Sequence, residues 1–250
     1  MINSITADLI RVQKKKSFFI MVIIQCLLIV GLALFVMYFP TTGNRSNNFY
    51  IAVGAGAGLS SLLIAIPVFL AVFSDDFRSH AMQTAIGFGL SRTKLIVARY
   101  LEALVLIAEC CIYINITELV MGMIANVDMK TIGELCKDTW ISLTPTMCYV
   151  AISMLIVYSM QSATFALVMY IIFNTGVISG ILAGISAVIP FIRKNNIHLE
   201  WILPDQLING LALNPEYNYG YAIWGVVVIV FILIPVWLST VIFKNKELEF

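Results

Sequence analysis

Three carboxylates, Glu102, Glu109 and Glu118, lie inside one apolar run at residues 96–127, where an acid can do membrane chemistry. At 100° per residue, Glu102 and Glu109 fall within about 20° of each other on one helical face, about 10 Å apart along the axis, and Glu118 points to the other side. An acid in hydrocarbon is costly, and the roles that retain it are lining a watered path, carrying a proton or holding a partner helix. Glu102, near the inner end, can pair with Arg99 or reach the interface, and Glu118 approaches the outer interface beside Asn115 and Thr117. Glu109 is then the acid near mid-membrane. A proton-coupled carrier would use it by titration, and a structural role would give it a hydrogen bond to Gln25, Ser153 or Asn174.

Other chemistry is sparse. The two histidines, His80 and His198, fall on opposite sides of the membrane in the topology derived below, so they cannot form a metal pair within one chain. Gly54-Ala-Gly-Ala-Gly58 is the nearest approach to a nucleotide loop, but it lacks the Lys and Ser/Thr that hold phosphate and Mg²⁺ and sits inside an apolar run. The chain is therefore expected to hydrolyse no nucleotide, to bind no cofactor of its own and to be no enzyme.

The elements that position these residues are read from composition. Of 250 residues, 60% are hydrophobic and 12% charged, against a charged fraction of roughly 25% in soluble domains. With a net charge of +1, no basic field argues for nucleic acid. The cysteines number five, an odd count, and four of them lie in apolar runs, a pattern of small buried side chains with no disulfide framework or metal site. Residues 18–39, 50–73, 96–127, 140–160, 163–189 and 219–243 are apolar runs that each reach the roughly 20 residues of a crossing. An all-α membrane domain of six transmembrane helices is expected, since none of the runs shows the alternation of a β-barrel.

Residues 1–16 place Ile2, Ile5, Leu9 and Val12 on one stripe and end in Lys14-Lys15-Lys16, which predicts an amphipathic helix in the inner interface. The first run is too long for a signal-peptide core and no small-residue cleavage site follows it, so it is expected to remain as a span. With both termini inside, ten Lys and Arg residues fall on the cytoplasmic side and five outside, which sets the orientation. Residues 40–49 and 126–139 become polar outer connections. Residues 190–218, half apolar and punctuated by Pro190, Pro204 and Pro215, are expected to form short outer helices anchored by Trp201.

Gly54 with Gly58, and Gly176 with Gly180 and Gly184, form small-residue stripes suited to close packing within a subunit or at a dimer seam. Tyr38, Phe39, Phe165 and Met169 are candidates, with Glu102 and Glu109, for the lining of a path for amphipathic cargo.

Residues 74–94 form the one sizeable cytoplasmic loop. A helix-like segment from Phe77 to Phe88 is broken by Gly87 and Gly89, and Ser91 is placed as N-cap of the third span. Such a segment can rock as a unit against that span.

The KKK-ended amphipathic start, the six runs, the segment Asp75-Asp76-Phe77-Arg78 and the run Gly89-Leu90-Ser91-Arg92 with Lys94 together resemble the permease subunits of type-2, or type V, ABC exporters. The likeness covers nearly the whole chain and is mostly architectural. It implies a homodimer, or a heterodimer with a similar permease, bound to two separate ATPase subunits that hold ATP and Mg²⁺. It further implies that the loop is a coupling helix, with Asp75, Asp76, Phe77, Arg78, His80, Gln83, Thr84, Phe88 and Arg92 facing the ATPase. The expected cargo is an amphipathic peptide, peptide antibiotic or hydrophobic drug, exported across a bacterial plasma membrane, as in bacitracin, lantibiotic and phenol-soluble-modulin exporters. The competing expectation is an ion- or proton-coupled carrier acting through Glu109.

Overall fold

The computed structural model describes residues 2–39, 44–74, 86–87, 89–195, 198–208 and 220–245. Among them all regular structure is helical. The elements used below are α1 (Ile2–Gln13), α2 (Lys16–Tyr38), α3 (Arg45–Phe69), α4 (Arg92–Ile124), α5 (Met129–Met160), α6 (Ala163–Asn174), α7 (Val177–Val188), α8 (Pro190–Lys194), α9 (Pro204–Leu207), α10 (Gly220–Val228) and α11 (Ile234–Asn245).

Among the described residues four stretches are helical, long and apolar enough to cross a membrane: Phe18–Tyr38, Arg45–Phe73, Met129–Met160 and Trp224–Lys244. The pair α6 and α7, bent by 53°, makes a fifth if taken as one broken span. By length and composition the chain is an all-helical membrane protein, with four such spans, or five, among the described residues. The expected third span corresponds to α4, a continuous helix of 33 residues that carries all three carboxylates. The last one is interrupted by a π-helical turn at Ile229–Leu233.

Residues divide into two compact units, Met1–Asp75 with Leu101–Leu143, and Asp76–Tyr100 with Thr144–Phe250. In the first, α2 packs along α3 around the buried side chains of Ile29, Ala33, Phe49, Val53 and Ile64. Side chains of α2 close over Gly56, where an added Cβ would stand 2.6 Å from Leu32 Cδ1 and 3.1 Å from Leu28 Cδ2. Sequence reading passed over this glycine in favour of Gly54 and Gly58. Gly54 and Gly58 lie two residues, about 200°, round the helix from Gly56 and face elsewhere. A Cβ at Gly54 would make an ordinary 3.6 Å contact with Leu135, and one at Gly58 would meet nothing within 4 Å.

The expected polar connection at 126–139 also shrinks. Its helix begins at Met129, because Asp128 caps it by accepting from the Thr131 N–H at 3.0 Å. Backbone bonds close the remaining tight turn: Ala125 N–H donates to Met121 O at 2.9 Å and Val127 N–H to Gly122 O at 3.0 Å, with Asn126 at φ 53°. Lys130 and Glu134 pair across one helical turn at 4.0 Å, so the mixed charge of this stretch decorates a helix.

In the second unit the expected span 163–189 breaks after Asn174. Gly176 adopts φ +73°, a left-handed conformation that ends α6 and starts α7. Gly176 therefore serves as a bend and does not extend the stripe of Gly180 and Gly184, at which an added Cβ would meet nothing within 4 Å. The described part of the expected outer segment does form short helices: α8, a 3₁₀ turn at Leu199–Ile202, and α9.

That segment is tied to α7 through Ser186, whose hydroxyl accepts from Leu199 N–H at 3.1 Å and lies 3.4 Å from Glu200 Oε2. His198 Nδ1 stands 2.9 Å from Glu200 Oε1, and its ring stacks on Trp201 with centroids 4.9 Å apart. The Glu200 carboxyl is held below its ordinary range, first by its own backbone N–H and then by His198. A lowered folded-state value means that the stabilisation is full above the unfolded carboxyl's range and disappears as pH falls through the folded value. Acidification below the usual carboxylate range is thus expected to loosen this hook and alter Trp201 fluorescence. The Glu200→Gln variant should lack the transition, and an identical transition in that variant would exclude Glu200 as its origin.

Candidate functional site

Most of the expected coupling residues, Asp75, Asp76, Phe77, Arg78, His80, Gln83, Thr84 and Phe88, lie outside the described residues. The end of the loop is described. Gly89 takes φ +89°, its N–H donates to Ile86 O at 2.9 Å, and Ser91 Oγ accepts from Lys94 N–H at 3.4 Å at the start of α4. Ser91 thus occupies the capping position read from sequence.

Arg92, the remaining coupling candidate, turns to the end of the chain. Its guanidinium donates to Phe243 O at 3.0 Å and to Lys244 O at 3.2 Å, and its Cζ lies 5.7 Å from the Phe243 ring centre. These carbonyls belong to the last described turn of α11, Ile234–Asn245, where a positive charge is favoured by the negative end of the helix dipole. Arg92 therefore clamps the base of α4 to the end of α11. Nothing in the sequence spacing of 151 residues signals that contact.

The three carboxylates have separate surroundings. Glu102 is buried at 2% exposure. Glu109 accepts from Gln13 Nε2 at 2.8 Å and from the Tyr113 hydroxyl at 3.3 Å. Gln13 ends α1, three residues ahead of Lys16, so Glu109 stands at the N-terminal end of α2 rather than opposite its middle. The partners Gln25, Ser153 and Asn174 expected for it are corrected accordingly, because α4, at 33 residues, exceeds the roughly 20 needed for a crossing and a position along it does not fix which side chains of other helices lie beside it. Gln13 lies on the polar side of α1 while Val12 is buried, and the amphipathic helix is thereby fixed to the core at its last turn.

Glu118 is wholly buried, and its Oε1 accepts from the Thr139 hydroxyl at 2.9 Å. The residue before Thr139 on α5, Asp138, accepts a hydrogen bond from the Tyr50 hydroxyl of α3. This polar group, built from three helices of the first unit, escapes sequence reasoning because its members are separated by 21 and 88 residues. Of the proposed cargo-path residues, Tyr38, Phe39 and Phe165 are exposed and Met169 is half-buried. Phe39 stacks on Phe35 of its own helix with centroids 4.7 Å apart. Among the described residues no three metal-ligating side chains cluster, and all five cysteines are free.

No protein-family model matches the chain, and no curated protein matches it.

Proposed function

We propose that this chain is the membrane permease subunit of an ATP-driven exporter of the type-2 ABC class. It would work as a dimer with separate ATPase subunits and move an amphipathic or hydrophobic cargo, such as a peptide antibiotic, out of a bacterial cell. Six spans, cytoplasmic termini and a coupling helix at residues 74–94 belong to this proposal.

The observation that supports it best is the mechanical attachment of that loop. The loop ends on Ser91, which caps α4, and the next residue clamps α4 to the final turn of α11. A push on the loop would be received by two long helices together, not by a free linker. The hydrogen bond from Gln13 to Glu109 adds a second attachment, through which α1 is fixed to the same helix α4.

Co-purification from native membranes tests the class. A soluble ATPase is expected to accompany the chain, and the double charge reversal Asp75→Lys with Asp76→Lys is expected to leave ATP hydrolysis running while export falls at least about tenfold. Export by the purified chain alone in liposomes, driven by a pH gradient and indifferent to ATP, would overturn the proposal in favour of a proton-coupled carrier.

A further inference from the structure

A cavity of about 250 Å³ opens between α3 and α5 in the first unit, at the end where α3 begins and α4 turns into α5. Its wall is apolar along Gly54, Ala57 and Leu135, and its polar side carries Tyr50, Asp138 and Thr139. The absence of side chains at Gly54 and Gly58 creates the space, since an added Cβ at Gly58 meets nothing within 4 Å. Within this chain the Gly54 and Gly58 stripe borders an opening.

The electrostatics of the cavity are one-sided. No basic residue lines it, while Asp138 stands on its wall. Directly behind the wall lies the wholly buried carboxyl of Glu118, which takes hydrogen bonds from the Thr139 hydroxyl and the Cys136 thiol. Thr139 Oγ1 is within reach of both Glu118 Oε1 and Leu135 O, at 2.9 and 3.1 Å, yet a hydroxyl has one proton to give. The Ser142 hydroxyl, also on the wall, donates to Thr139 O at 2.9 Å, so the cavity keeps the negative charge of Asp138 with no cation in its lining to offset it. Tyr50 satisfies one oxygen of Asp138 and fixes its orientation without neutralising it.

A donor-rich cation attached to an apolar body supplies what this site lacks. We propose that the cavity binds an organic ammonium group, with the –NH₃⁺ against Asp138 and Thr139 and the aliphatic part along Gly54, Ala57 and Leu135. The volume lies just under the roughly 300–1,000 Å³ of pockets that hold drug-sized ligands, which restricts the occupant to a small amine or a single lysine side chain. This binding does not depend on the energy source proposed above.

The test uses the full-length chain in detergent or nanodiscs, with n-hexylammonium as probe and n-hexanol and hexanoate as its neutral and anionic counterparts. Hexylammonium is expected to bind saturably and raise the melting temperature, and its counterparts are not. Asp138→Asn keeps an acceptor for Tyr50 but removes the charge, and should weaken binding by at least about tenfold, the worth of a charge-assisted hydrogen bond.

Gly58→Leu fills the cavity from a position with open space and leaves both acids in place, so it carries the test even where Asp138→Asn is poorly folded. Binding of hexanol as tight as that of hexylammonium would overturn the proposal, as would undiminished hexylammonium binding by Gly58→Leu. Competition by a short peptide with one lysine would assign the ammonium to a polypeptide. Competition confined to free alkylamines would assign it to a small molecule, and either result upholds the site.

Discussion

Replacing Gly122 with valine is expected to destabilise the chain by about 1–3 kcal/mol, the usual cost of forcing extra carbon into a packed core. A Cβ there would stand 2.7 Å from both Cδ1 and Cγ1 of Ile132, far inside van der Waals contact. A flexible methyl could swing aside, but Cγ1 sits on the β-branch of a residue 2% exposed, and such side chains have one favoured χ1 in a helix. Relief must come from the backbone, where α4 and α5 are joined by a turn of only a few residues. For a chain of this size, thermal unfolding in detergent should show a drop of about 2–12 °C. Gly58→Ala is the control, because its Cβ meets nothing and alanine favours helix by about 1 kcal/mol over glycine. Equal melting of Gly122→Val and the parent chain would show that the two helices do not approach so closely.

The second large effect is expected from Arg92→Ala, which removes both donors from the final carbonyls of α11 and the cation from the Phe243 ring. Hydrogen bonds to a charged group contribute about 1.5–3 kcal/mol. Because Arg92 is only partly buried, the lower end of that range is the fitting expectation. Lysine cannot rescue it fully, since a single ammonium lacks the planar fork that reaches two carbonyls at once. Hydrogen exchange should localise the loss. Amides in Ile234–Asn245 should exchange about tenfold faster in Arg92→Ala, with those of α2 unchanged. Protection of α11 equal to that of the parent would mean that the clamp contributes nothing, and would remove the main support for transmission from the loop to two helices.

Those two residues illustrate what sequence could and could not disclose. Ser91 was legible as a cap because capping is local, decided within three residues by a side-chain oxygen and orphan N–H groups. Arg92, its neighbour, was legible only as a charge at a membrane surface, since its partners lie 151 and 152 residues away. Gly176 looked like one more small residue in a stripe, and only its left-handed φ shows that it bends the span. Gly56 drew no notice beside Gly54 and Gly58, yet it is the glycine against which α2 closes.

The membrane class, the helical character and the amphipathic start follow from the sequence by itself. They rest on quantities summed or repeated along the chain: hydropathy over about 20 residues, a stripe at helical period, caps within a turn. Tertiary structure alone decided where the carboxylates sit and what they face. Periodicity orders Glu109 and Glu118 round α4 but does not say which helix covers each face or how far α4 overshoots its neighbours. Packing resolves that, placing Glu109 beside Gln13 and Glu118 behind Thr139, because hydrogen-bond partners are chosen by proximity in space and not by separation in sequence.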